Sequence, residues 1–237
     1  MTQPCAVVTG GARNIGQAIS LRLQQDGFRV IVLDIEEPEA ETLRADARRV
    51  DLSDRDAAEA AFAEIAETLP VTALVNNVGI VRPALFDAVD LDDFDRLMRL
   101  NLRTCLIAAK ALVPVMRRQG GGRIVMNTSR VTLGKPARSL YSASKGAMQA
   151  MARTWALELG PQGITVNCVA PGPIGTSVFW QNNPPGAPAT EAIVNAIPVG
   201  RMGTPEDVAH AVSFFCNAQS GFVTGQTLFV CGGVTVG

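Results

Sequence analysis

The sequence lacks most of the features that would point away from a plain enzyme domain. Its five cysteines (Cys5, Cys105, Cys168, Cys216 and Cys231) form no Cys-x-x-Cys pair, which excludes a recognisable disulfide framework or zinc site and leaves buried, reduced thiols as the reading. There is one histidine, His210, in a helical stretch from Val208 to Phe215, so no histidine cluster is available to hold a metal. The formal net charge is -1, which removes any general electrostatic reason to bind nucleic acid or an anionic membrane. No basic segment followed by an apolar one opens the chain, and no apolar run approaches the roughly 20 residues needed to span a bilayer. These absences point to a cytoplasmic protein with small-molecule partners.

What is present is a core. Apolar residues make up 47% of the 237, enough for one well-filled α/β domain spanning 1–237. Short apolar runs recur at Ala6–Val8, Val30–Leu33, Ala73–Val75, Ile124–Met126, Thr165–Cys168 and Leu228–Val230. Segments of helical spacing separate them: Asn14–Gln25, Asp54–Leu69, Leu91–Arg117, Ser142–Leu159 and Pro205–Ala218. Strand then helix, repeated, predicts a doubly wound, Rossmann-type domain with a parallel sheet of about seven strands flanked by helices. Local signals punctuate the elements: Ser53 precedes an alanine-rich helix, and Thr204 with Pro205 reads as an N-cap followed by proline at the first helical position. Pro171 to Gly200, with Pro184-Pro185-Gly186 and Phe179-Trp180, breaks the rhythm and reads as a long excursion whose part at about 176–200 forms a substrate loop.

The first strand ends in Thr9-Gly10-Gly11-Ala12-Arg13-Asn14-Ile15-Gly16 and runs into a helix, the context a phosphate-binding turn needs. Asp34 closes the second apolar run, where a carboxylate can bind the adenosine ribose hydroxyls and repel a 2'-phosphate; this favours NAD over NADP. Arg13 is the competing signal, because a guanidinium in the turn can meet a 2'-phosphate or stack on adenine.

The only tyrosine sits in Tyr141-Ser142-Ala143-Ser144-Lys145. Positions i and i+4 share a helix face, so the phenol and the ammonium point the same way, and a nearby cation moves a phenol toward the range where it can exchange protons.

These residues, in this order, resemble the short-chain dehydrogenase/reductase family over essentially the whole chain. The glycine-rich turn of the family resembles Thr9 to Gly16, its Asn-Asn-Ala-Gly strand end resembles Asn76-Asn77-Val78-Gly79, and its Tyr-x-x-x-Lys matches Tyr141 and Lys145. Pro171 to Thr176 and Phe222 to Gln226 also look like family segments. The resemblance implies hydride transfer between a nicotinamide dinucleotide and a secondary alcohol or ketone, with Asn101, Ser129, Tyr141 and Lys145 as the catalytic set. Ser129 would hydrogen-bond the substrate oxygen, with Thr128 as an alternative, and Asn101 would hold a water on the proton path from Lys145. The same resemblance places Gly10, Arg13, Asn14, Ile15, Asp34, Asp51, Leu52, Asn77, Ile174 and Thr176 along the cofactor, together with Tyr141 and Lys145.

Two positions depart from the pattern. Asn14 replaces the usual second glycine of the turn, and Asn is among the few residues that tolerate left-handed backbone; cofactor affinity is the property this substitution bears on. Val78 replaces the usual alanine and adds bulk beside the cofactor.

Two other readings stand beside the NAD(H)-dependent one: a 3-oxoacyl-(acyl carrier protein) reductase using NADP(H), and a dinucleotide-binding regulator without turnover. The excursion at 176–200 contains no Lys or Arg to clamp an acidic carrier, and Phe179 with Trp180 suggests an apolar or aromatic substrate, or simply packing. Relatives by resemblance are commonly homotetramers, and the helices near 91–117 and 142–159 are the expected packing faces.

Overall fold

In the computed structural model, which describes residues 3–236, seven parallel strands form one sheet in the order β3-β2-β1-β4-β5-β6-β7. They are β1 (Cys5–Thr9), β2 (Arg29–Asp34), β3 (Ala47–Arg49), β4 (Val71–Asn76), β5 (Gly122–Asn127), β6 (Ile164–Pro171) and β7 (Thr227–Val230). All but one of the apolar runs become strands buried on both faces, because successive side chains point to opposite sides; β7, at the sheet edge, is only partly covered. Cys5, Val7, Ile31, Leu33, Ile124 and Met126 enter one core, whereas Ala6, Val8, Val30, Val32 and Val125 enter the other.

Each core is closed by its own helix layer. On one face lie α1 (Asn14–Gln25), the short α2 (Glu41–Arg44) and, later in the chain, α9 (Pro205–Cys216), which supply Ile19, Leu23, Leu43, Val208, Val212 and Phe215. On the other lie α3 (Arg55–Thr68), α5 (Thr104–Arg118) and α6 (Ser139–Leu159), which supply Phe62, Ile65, Leu112, Met116, Met148 and Ala152. The predicted doubly wound sheet is the observed one.

Four local details differ from expectation. Strand β3 carries no apolar run; its Ala-Arg-Arg lies at the sheet edge, where only the backbone pairing with Val32, Leu33 and Asp34 is demanded. The alanine-rich helix α3 is capped by Asp54, whose carboxylate accepts from the N–H groups of Asp56 and Ala57, and not by Ser53. The helical stretch predicted from Leu91 divides into α4 (Leu91–Leu97), a π-helical segment (Met98–Arg103) and α5. The excursion is not bare loop: it holds α7 (Ser177–Asn182) and α8 (Pro188–Asn195). Thr204 caps α9 as predicted, in a reciprocal box with Asp207.

All five cysteines are buried and unpaired. No helix among the described residues is long and apolar enough to cross a membrane.

Candidate active site

The chain reverses direction across the sheet between β1 and β4, so the loops leaving their C-terminal ends diverge and open a crevice. A cleft of about 1310 Å³ occupies this position. It is lined by every catalytic and cofactor residue expected from the sequence except Asn101, which is fully buried behind it.

The dinucleotide half begins at the turn after β1. Gly10 has φ +63, and a Cβ on Gly16 would stand 1.8 Å from the Gly10 carbonyl oxygen, so the turn closes only because both positions lack side chains. Asn14 adopts φ 48, the left-handed backbone that its side chain tolerates, and the turn is intact despite the missing glycine. Its Oδ1 accepts from both the backbone N–H (2.9 Å) and the hydroxyl (3.0 Å) of Ser177, tying the turn to the start of α7. At the N-cap of α1, Arg13 makes no side-chain capping bond, so the first N–H groups of the helix face the cleft without a side-chain acceptor. A bare glycine cradle at a positive helix end fits a pyrophosphate.

Neighbouring strands brace this turn. Thr9 Oγ1 accepts from the N–H groups of Asn77 (3.0 Å) and Val78 (3.1 Å), and Asn77 Nδ2 donates to the carbonyls of Thr9 (3.1 Å) and Gly10 (2.8 Å). Asn127 Nδ2 in turn donates to Asn77 Oδ1 at 2.7 Å. Asp34 reaches back from β2, its Oδ2 accepting from Ala12 N–H at 3.0 Å. Arg13 is paired with Glu36 at 2.5 Å and lies 3.6 Å from Glu39, so its charge is compensated within the adjacent loop. Asp51 and Leu52 close the far wall, and Ile174 and Thr176 the near one, Thr176 also capping α7 through Phe179 N–H at 3.2 Å.

The reacting half is built on β5 and α6. Lys145 is 2% exposed, its Nζ donates to the Asn127 carbonyl at 2.7 Å, and it stands 5.6 Å from the centroid of the Tyr141 ring. Burial without a carboxylate partner pulls its pKa down to about 8. Burial drives the Tyr141 phenol the other way, up to about 12, against the opposing pull of a hydrogen bond from Ser129 and the charge of Arg138.

Of the two hydroxyls after β5, the structure separates their uses: Thr128 is 3% exposed and its Oγ1 donates to the Val169 carbonyl at 3.0 Å, whereas Ser129 faces Tyr141. Asn101 lies in the π-helical segment, a geometry frequent at functional sites. Its side chain accepts from Ile80 N–H (2.9 Å) and donates to the Ile80 carbonyl (3.0 Å) and to Ser144 Oγ (3.1 Å). Ser144 donates to the Tyr141 carbonyl at 2.8 Å, so Asn101 is tied to the backbone of the tyrosine. Phe179 lines the cleft, while Trp180 packs edge-on to it and against Gly175, a packing role. His210 is exposed on α9, bonded to Arg22 and away from the cleft. Thr9 and Ser144 lie inside the glycine-rich turn and the Tyr141–Lys145 segment, but their bracing roles come only from the fold; Ser177, Arg130, Lys135 and Arg138 match no spacing pattern, and only the fold brings them to the site.

Comparison with known proteins agrees with this geometry. The family model for enoyl-(acyl carrier protein) reductase matches residues 10–235. A 3-oxoacyl-(acyl-carrier-protein) reductase of Aggregatibacter actinomycetemcomitans is 39% identical, over 96% of this chain and 98% of the relative. The same activity is named for a Thermotoga maritima protein that is 34% identical over 97% of each chain. Among solved structures, a Beutenbergia cavernae protein described as an NAD(P)-dependent gluconate 5-dehydrogenase, with bound NADP, superposes with a TM-score of 0.90 at 29% identity, covering 99% of this chain and 97% of that one. A blue fluorescent protein from a metagenomic library, in complex with NADPH, gives a TM-score of 0.87 at 33% identity over 98% of both chains. The chain belongs to the short-chain dehydrogenase/reductase family and is an NAD(P)-dependent oxidoreductase acting on CH–OH groups.

Proposed function

We propose that the protein interconverts a secondary alcohol and a ketone with NAD(H), Tyr141 exchanging the hydroxyl proton. The observation that carries this reading is the convergence of the Tyr141 phenol, the Ser129 hydroxyl and the buried Lys145 ammonium in one cleft beside the glycine cradle. The bound dinucleotide supplies or accepts the hydride. At neutral pH the phenol is protonated, since burial holds its pKa near 12, so Tyr141 is set to donate a proton to a carbonyl oxygen that is gaining charge. Ser129 donates a second hydrogen bond to the same oxygen, a contribution of about 2.7–4 kcal/mol to the barrier by comparison with other oxyanion donors. Lys145, with its pKa near 8, remains largely cationic there and keeps positive charge beside the phenol as the proton leaves. Asn101 fixes the backbone that presents the tyrosine.

NAD(H) is favoured because Asp34, at the end of β2 in the cleft lining, is where a carboxylate would meet the adenosine ribose and repel a 2'-phosphate, and Arg13 is already paired with Glu36. NADP(H) is the second reading, supported by the dinucleotides named for the two solved neighbours. The segment at 176–200 serves as the lid over the substrate, Phe179 lining the cleft from it. Leu106 on α5 and Leu157 on α6 are exposed and support a homo-oligomer, a tetramer by resemblance, through those helices. Five unpaired thiols fit a reducing, cytoplasmic setting.

The test is absorbance at 340 nm with NADH and NADPH offered separately against a panel of ketones, 3-oxoacyl thioesters included. Turnover with higher kcat/KM for NADH is expected. A tenfold preference for NADPH would overturn Asp34 as the selector. Cofactor binding with no turnover on any carbonyl would overturn the enzyme reading in favour of a regulator.

A further inference from the structure

The lining of the cleft beside Tyr141 carries a charge that the chain as a whole does not. The net charge is -1 and there are only three lysines, yet Arg130, Lys135 and Arg138 all line the cleft within nine residues of each other. Each of the other two cleft arginines beyond the cofactor turn has a carboxylate close by: Arg96 bonds Asp93 at 3.2 Å and Arg99 lies 3.9 Å from Asp95. Among the described residues no carboxylate pairs with Arg130, Lys135 or Arg138. The three cations are close enough to act on one another, since burial and then the charges of Arg138 and Arg130 disfavour the protonated form of Lys135.

The backbone holds Arg138 in place at a cost. Ala137 has φ 58, a left-handed conformation unusual for a residue with a side chain, of the kind that persists where the surrounding structure demands it. Its carbonyl accepts from Ala84 N–H (3.2 Å) and from Arg138 Nη1 (2.8 Å), and Arg138 also pairs with Ala84 as an isolated bridge. Arg138 is the N-cap of α6, three positions before Tyr141, and its charge reaches the phenol. A cluster of like charges lining a cleft concentrates anions, and two guanidinium forks beside an ammonium match carboxylate or phosphate oxygens.

We propose that the substrate of this enzyme carries an anionic group, a carboxylate or a phosphate, held by Arg130, Lys135 and Arg138 while its carbonyl faces Tyr141. The proposal rests on the reading that Tyr141 meets the reacting carbonyl. It replaces the apolar substrate suggested by Phe179 and Trp180: the lid from 176 to 200 carries no Lys or Arg, and the cationic part of the lining comes instead from residues 130–138.

The test compares kcat/KM for two matched pairs, acetoacetate against methyl acetoacetate and acetoacetyl-coenzyme A against acetoacetyl-pantetheine, in the native enzyme and in Lys135→Gln and Arg130→Gln. The anionic member of at least one pair is expected to be preferred tenfold or more, and that ratio to fall at least fivefold in each variant. The pair that shows it tells whether the recognised group is the carboxylate or the phosphate. Equal kcat/KM within both pairs, or a preference that both variants retain, would overturn the clamp. If none of the four compounds turns over, the reductase reading fails separately, and the clamp is judged by calorimetric titration of the dinucleotide-loaded protein with succinate and with inorganic phosphate. Binding that weakens tenfold in Lys135→Gln would support the site; no binding of either anion to the native protein would overturn it.

Discussion

Replacing Lys145 with Met isolates the cost of a buried ammonium. Lys145 is 2% exposed and donates to one backbone carbonyl at 2.7 Å, and among the described residues no carboxylate pairs with it. Burial accordingly lowers its pKa from 10.5 to about 8. Between those values the unfolded chain holds a proton that the folded chain has released, so this lysine makes stability rise with pH across that window. Each pH unit is worth about 1.4 kcal/mol, giving about 3 kcal/mol over the whole window.

The buried thiols act in the opposite direction. Burial raises Cys5 to about 11 and Cys105, Cys168 and Cys216 to about 12, from 9.0, so above pH 9 the unfolded chain ionises first and stability is lost. Four thiols outweigh one lysine, and the absolute stability of the protein declines in alkali. The lysine is therefore read from a difference. The stability of Lys145→Met minus that of the native protein should shrink by about 3 kcal/mol from pH 7.5 to pH 10.5, which is about 6–12 °C in Tm for a domain of this size. Thermal unfolding of the cofactor-free proteins, followed by circular dichroism at several pH values, measures it. A difference that stays constant with pH would refute a desolvated Lys145 that titrates near 8.

Two further substitutions probe the site. Ser129→Ala should lower kcat by about 10²–10³-fold, as loss of an oxyanion donor does elsewhere, whereas Thr128→Val, which removes the bond to the Val169 carbonyl, should lower thermal stability more than kcat; the opposite pattern would exchange their roles. Asn14→Gly keeps the left-handed turn but removes both bonds to Ser177, worth about 0.5–1.5 kcal/mol each. The substrate KM should then rise severalfold with a smaller change in dinucleotide Kd, and a weaker dinucleotide Kd with an unchanged substrate KM would show that Asn14 serves the cofactor alone.

Sequence and structure agree where spacing translates directly into direction. Six apolar runs became strands, five of them because a strand covered on both faces must be largely apolar and β7 as a partly covered edge, and Tyr141 and Lys145 share a face because a helix places i and i+4 together. The turn at Gly10 and Gly16 was legible because no side chain fits there. Agreement fails where tertiary contacts decide. An edge strand such as β3 leaves its arginines partly exposed and shows no apolar signal. The π-helical segment at Met98–Arg103 holds Asn101 in bonds to Ile80 and Ser144, residues distant in sequence that no local pattern reveals. Thr128 and Ser129 could not be separated by counting, since what distinguishes them is the Val169 carbonyl on the neighbouring strand. The cation trio follows no motif: only the fold brings its members to one cleft, Arg138 through the contact of its loop with Ala84.

The central claim is that Tyr141 transfers the proton, and Tyr141→Phe tests it most directly. The variant keeps the ring beside Lys145 and removes only the hydroxyl. With nicotinamide fluorescence to verify that the dinucleotide still binds, kcat should fall by about 10²–10⁴-fold, the range that a positioned proton donor supplies. Turnover within about tenfold of the native enzyme would contradict the account and move the proton to another group.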